Sequence, residues 1–179
     1  MSSTIYIASN APIMPRPNPH EKMVSVNEAL ALGIKVSDYL LTDDFDKDKP
    51  GVILVSDRDI VVDVDNGTIT DGDFDDDFGI YLTEKTNGMT TDKMYSAVFE
   101  IIRCTPARAE KFIEYLKDQL KTTSEIELHH AWVDNEPERK TEMVKISIDD
   151  LTATDIQNLI DKDVFGKPCV DFGYLISST

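Results

Sequence analysis

Apolar residues follow two different rhythms along this chain, and the clearer one lies in its second half. Residues 94–103 (MYSAVFEIIR), 125–133 (EIELHHAWV), 141–148 (TEMVKISI) and 169–176 (CVDFGYLI) alternate or run apolar as strands do. Between the first two, Ala109, Phe112, Ile113, Leu116 and Leu120 recur at helical spacing, behind Thr105 as N-cap and Pro106 at the first helical position. Thr152 with Asp155 opens a second helix carrying Ile156, Leu159 and Ile160. The order β-α-β-β-α-β over residues 93–179 predicts a ferredoxin-like α+β domain.

The first ninety residues read as a small antiparallel β-rich region with one short helix. Thr4–Ala8 is a strand, and Pro12, Pro15, Pro17 and Pro19 make residues 11–20 an extended, polyproline-like connection ending at His20-Glu21-Lys22. Such a stretch is not expected to donate to a sheet ladder. Ser25 and Glu28 form a capping box for a helix through Leu32, with Gly33 as its stop, and residues 36–41 suit either a helical turn or a strand. Val52–Val55, Ile60–Val64, the Asn66-Gly67 hairpin signal and Phe78–Thr83 predict one small sheet over residues 50–84. Residues 86–92 are polar and suit a linker, which divides the chain into an acidic region 1–90 and a domain 93–179 and leaves open their packing as one globular unit.

Charge changes the range of partners. Among 179 residues, 34 are acidic and 18 basic, net −16. Phosphate backbones and anionic membrane surfaces both repel such a chain, so neither nucleic acid nor membrane is an expected partner. No apolar run approaches the ~20 residues that span a bilayer. The start, MSSTIYIA, lacks the basic segment of a signal peptide, and a cytoplasmic location follows as the expectation. The excess is local: residues 43–77 hold thirteen Asp against Lys47, Lys49 and Arg58, net −10. Because aspartate favours turns, this window is turn-rich.

Strand alternation assigns faces. A helix-covered face is expected to collect Tyr95, Ala97, Phe99 and Ile101; Ile126, Leu128, His130 and Trp132; Val144, Ile146 and Ile148; and Val170, Phe172, Tyr174 and Ile176. The open face then carries Val98, Glu100, Ile102, Glu127, His129, Ala131, Met143, Lys145, Ser147, Asp171 and Gly173. It is too apolar to stand in water, which implies a cover: the N-terminal region, a second subunit or a ligand. Val98, Glu100 and Met143 stand where RNA-binding ferredoxin-like domains place stacking aromatics, which argues against that use. Glu100, His129, Lys145 and Asp171 are the candidate acid–base cluster, since antiparallel pairing of first and last strands would bring Glu100 to Asp171, with His129 as shuttle. The plainer reading is a salt-bridged, half-wet interface.

Asp71, Asp73, Asp75 and Asp77 are candidate ligands for weak divalent-cation binding, although counting from Asp71 puts Asp76 and Leu82 where an EF-hand needs Gly and Glu. A solvated hairpin end is the plainer reading of them. Cys104 and Cys169 show no zinc or redox spacing and read as small semi-buried hydrophobes. Nucleotide-binding and hydrolase motifs are absent from the sequence, and no cofactor is implied. The expected function is a binding or regulatory module acting through a protein partner or self-association. An acidic decoy, phage- or plasmid-borne, aimed at a basic nucleic-acid-binding protein is one alternative. An enzyme using the Glu100/His129/Lys145/Asp171 face is another.

Overall fold

The computed structural model describes residues 2–58, 61–63, 68–70, 72, 74–84, 91–133, 142–160 and 172–178. In chain order its elements are β1 (Ser2–Ser9), β2 (Glu21–Val24), α1 (Val26–Ala31), a 3-10 turn (Asp38–Leu41), β3 (Ile53–Ser56), β4 (Val61–Asp63), β5 (Thr68–Thr70) and β6 (Gly79–Thr83). Then follow β7 (Tyr95–Glu100), α2 (Pro106–Gln119), β8 (Glu125–Val133), β9 (Glu142–Ser147), α3 (Ala153–Ile160) and β10 (Phe172–Ser177). The fold is α+β and mostly sheet. Among the described residues no helix is long and apolar enough to cross a membrane.

The chain divides into two compact units, Met1–Asn18 with Asp73–Thr179, and Pro19–Gly72. The division therefore does not fall near residue 90, because β1 and β6 belong to the same sheet as the later strands. That sheet has the order β6-β7-β1-β8-β10-β9, with only the β9–β10 pair parallel. The expected β-α-β-β-α-β succession is present, yet its strands are not arranged as in a ferredoxin-like domain. β1 lies between β7 and β8, antiparallel to both, with Ile7 opposite Ala97 on one side and Leu128 on the other. The first and last strands of the expected domain consequently never meet.

The physical reason sits in β1 itself. Ile5, Tyr6, Ile7 and Ala8 are all buried, so the strand is apolar on both faces and needs neighbours on both edges and cover on both sides. One side faces the helices: Ile5, Ile7, Phe99, Leu128 and Ile176 join Phe112, Leu116, Ile156 and Leu159 in one core. The predicted faces hold at these positions, while Tyr95 and Val144 are exposed at the periphery. α2 begins as expected, with the Thr105 hydroxyl accepting from the Arg108 N–H, and its predicted stripe is buried throughout. Thr152 and Asp155 cap α3 reciprocally, Thr152 N–H to Asp155 Oδ2 at 2.9 Å and Asp155 N–H to the Thr152 hydroxyl at 3.3 Å.

The proline-rich segment forms no strand but makes one isolated bridge to β6. Arg16 stands between Pro15 and Pro17 but keeps its own N–H, which donates to Ile80 O at 3.0 Å while Ile80 N–H donates back at 2.8 Å. The Gln119 side chain fastens the same segment, accepting from Met14 N–H at 3.0 Å and donating to Pro12 O at 2.9 Å.

The unit 19–72 is organised around α1. Both bonds of the Ser25/Glu28 capping box form, and Gly33 turns the chain at φ +75°, letting Ile34 N–H reach Ala29 O at 3.0 Å. The single sheet expected over residues 50–84 is not formed. β3 instead pairs with β2, a strand that the His20-Glu21-Lys22 run concealed, β4 pairs with β5 across the Asn66-Gly67 position, and β6 joins the large sheet. The β4–β5 pair is the one expected from local sequence, with Asn66-Gly67 itself outside the described residues; the other pairings depend on contacts distant in sequence. The linker 86–92 and the loop 134–140 lie largely or wholly outside the described residues.

Candidate functional site

The sheet face turned away from α2 and α3 is buried at its centre. Tyr6, Ala8, Ser96, His129 and Ala131 are all buried within the single chain, so the chain supplies the cover itself. Part of that cover is Thr91, at the end of the region expected to be a linker, and Lys93, just beyond it. The Lys93 side chain reaches down to the Glu125 carboxylate and lies 3.9 Å from Glu127 Oε1. The Thr91 hydroxyl donates to Glu127 Oε2, and the Lys93 N–H donates to Thr91 Oγ1 at 3.1 Å.

The acid–base cluster expected here does not assemble. Glu100 on β7 and Lys145 on β9 are separated by β1, β8 and β10, four strand spacings or roughly 19 Å. Both are exposed. Asp171 lies outside the described residues, and β10 stands three spacings, roughly 14 Å, from β7. His129 is buried at 3% exposure and pairs with Glu127, two residues earlier on the same strand face, Nε2 to Oε2 at 2.9 Å. The neighbouring His130 is buried on the opposite, helix-covered face, as alternation requires.

The chemical centre is therefore Glu127, with His129, Thr91 and Lys93 around it. Burial alone would raise its carboxyl, but hydrogen bonds from His129 and Thr91 and the charges of His129 and Lys93 outweigh that and hold it below the usual carboxylate range. A carboxylate so surrounded is ionised at neutral pH, and its Oε2 accepts from both His129 and Thr91. Through these contacts it fastens residues 91 and 93 over the sheet. The i, i+2 spacing of Glu127 and His129 on one strand was a legible signal for this pair. Lys93 and Thr91 carried none.

A pH dependence follows. The folded carboxyl titrates below its ordinary value of 4.5, so the stability it contributes is complete above that value and is lost as pH falls through the lower, folded one. Glu127→Gln should lower stability at neutral pH and flatten the acid limb of the stability curve. Denaturant midpoints measured from about pH 7 to about pH 3 provide the check. Parallel curves for the two proteins would remove Glu127 from this role.

The aspartate run is divided among different tasks. Asp71 and Asp73 lie outside the described residues, and Asp75 is exposed. Asp77 is buried against Arg108, 3.3 Å from its Nη2, and its Oδ1 accepts from the Asn18 side chain at 2.7 Å. Asp76 pairs with Arg16, whose guanidinium also lies 3.9 Å over the Phe78 ring. Among the described residues no group of His, Cys, Asp or Glu side chains is placed to hold a metal ion.

In the unit 19–72 the polar and apolar surfaces are distributed differently. Val24, Ile53 and Val55 of the β2–β3 ribbon turn toward the core formed with Val26, Ala29, Val36 and Leu40. On the ribbon's other face Met23 stands directly opposite Leu54, and both are exposed. The end of the ribbon is fastened by ion pairs, Arg58 to Glu21 and His20 Nδ1 to Asp57 Oδ1 at 3.1 Å. No protein-family model matches this chain, and neither a characterised protein nor a solved structure matches it.

Proposed function

We propose that this chain is a binding protein that acts through protein–protein contacts, and that the unit 19–72 carries the contact surface. The supporting observation is an inverted distribution of apolar side chains. Among its described residues the unit buries Val24, Val26, Ala29, Val36 and Leu40, yet it exposes Met23, Leu30, Leu32, Tyr39, Leu41 and Leu54. Isolated exposed hydrophobics are ordinary on protein surfaces, but a unit that shows more large apolar side chains than it buries gains by association. The open sheet face, first expected to serve this purpose, is already filled at its centre.

The test compares wild type with Met23→Ser/Leu32→Ser/Leu54→Ser as bait in affinity capture from host lysate, with sedimentation equilibrium for self-association. These positions are exposed, so the unfolding free energy should stay within about 0.5 kcal/mol of wild type. A captured partner or dimer that the triple variant loses is the expected result. Identical behaviour of the two baits overturns the proposal.

A further inference from the structure

Resting on that binding role, we infer that the exposed Tyr39 and Leu41, together with the aspartate turn that follows them, form a docking surface for a basic polypeptide segment, one in which lysine or arginine flanks an apolar anchor. The 3-10 turn Asp38–Leu41 turns Leu40 into the core and leaves its neighbours outside, Tyr39 at 69% exposure and Leu41 at 37%. Tyr39 is the most exposed aromatic side chain among the described residues. Directly after it, Asp43, Asp44, Asp46 and Asp48 are all exposed, as is Asp38. Against these five carboxylates the segment 38–49 offers only Lys47 and Lys49, net −3.

The carboxylates are presented on a fixed turn. Thr42 Oγ1 donates to Tyr39 O at 3.0 Å, Lys49 N–H donates to Asp46 O at 3.2 Å, and Phe45 packs against the core. Asn27 secures the far end, its N–H donating to Lys47 O at 3.1 Å and its side-chain amide to Asp48 Oδ1 at 2.7 Å. A surface held this way loses little conformational entropy when a partner docks.

Charge decides the occupant. A second copy of this chain would bring a like-charged turn and a net −16 molecule against the same surface, and nucleic acid or an anionic membrane would be repelled. A cationic segment is attracted by all five carboxylates, and an arginine guanidinium can also lie on the Tyr39 ring. Tyrosine is among the residues that most often dominate interface energetics.

The probe is a labelled peptide of alternating arginine and leucine, with a glutamate–leucine peptide as the reference, titrated by fluorescence anisotropy into the full chain. The arginine peptide should bind and the glutamate peptide should not, with affinity falling steeply as salt rises through about 0.05 to 0.3 M. Tyr39→Ser and Asp43→Asn/Asp44→Asn/Asp46→Asn should each weaken binding about tenfold or more. Glu110→Gln/Glu114→Gln/Asp118→Asn, which removes the same number of charges from the exposed side of α2, should change it less than about twofold. An equal loss in the α2 variant reduces the effect to net charge and overturns the inference. So does full binding by Tyr39→Ser, or no binding at the lowest salt. If the peptide fails to bind while Met23→Ser/Leu32→Ser/Leu54→Ser still loses a captured partner, the binding role stands and only this choice of partner falls.

Discussion

Arg108→Met should cost about 3–5 kcal/mol of folding stability, because it leaves Asp77 as an uncompensated charge in the interior. Both side chains are at 0% exposure, and the guanidinium is the hub of its surroundings. Its Nε donates to Phe74 O at 2.7 Å and its Nη1 to Arg103 O at 3.0 Å, while Nη2 faces Asp77. Arg108 thus joins the start of α2 to the aspartate-rich chain ahead of β6. The double variant Arg108→Met/Asp77→Leu removes both charges and should recover much of the loss, since replacing a whole buried ion pair is far milder than breaking it. Chemical denaturation of the two variants separates the cost of an orphaned charge from lost packing. A single variant within about 1 kcal/mol of wild type would mean that Asp77 finds water or another partner when Arg108 is gone.

Phe112→Ala is expected to be comparably severe, about 3–5 kcal/mol. Its ring stacks on Phe99 with centroids 4.0 Å apart and planes 13° from parallel, and meets Phe78 edge-on at 5.9 Å. Tyr115 continues the cluster at 6.1 Å, and its hydroxyl donates to Met14 O at 2.9 Å, so the proline-rich segment rests on the same helix face. Truncation would open a cavity between α2 and the β6–β7 edge of the sheet, where Phe78, just ahead of β6, joins Ile80 and Phe99 in the core. Phe112→Leu keeps most of the buried area and loses mainly the aromatic geometry, worth about 0.5–1.5 kcal/mol. Equal losses for the alanine and leucine variants, read from thermal or denaturant unfolding, would show that ring stacking rather than volume sets the cost.

The features legible in the sequence are those fixed by residues near one another. The Ser25/Glu28 box, the Thr105-Pro106 start of α2, the Thr152/Asp155 cap and the span of β8 all rest on contacts a few residues long, and all appear where expected. Faces were equally legible, because the side-chain period of a strand is two whatever strand lies beside it. This is why Ala97, Phe99, Leu128 and Ile176 reach the expected core although the sheet order assumed for them is not the one formed.

Strand order was not legible for the complementary reason. Backbone hydrogen bonds carry almost no residue identity, so nothing in β7 or β10 alone states that β1 and β8 separate them. The unbroken apolar run Ile5–Ala8 was the one available sign that β1 is an interior strand. The candidate site inherits this limit: Glu127 and His129 share a strand and could be paired from sequence, whereas Lys93 and Thr91 reach them only through the folded sheet.

By itself the sequence determined the α+β class, the helix starts, the inward and outward faces and a local excess of aspartate, since each follows from local stereochemistry or composition. Only the tertiary structure decided that β1 completes the large sheet and that residues 19–72 form their own unit. It likewise decided that Asp77 is locked inside against Arg108 while Asp43, Asp44 and Asp46 stay in water. Aspartates identical in sequence chemistry are separated into these roles by burial, and burial is settled by contacts between residues far apart along the chain.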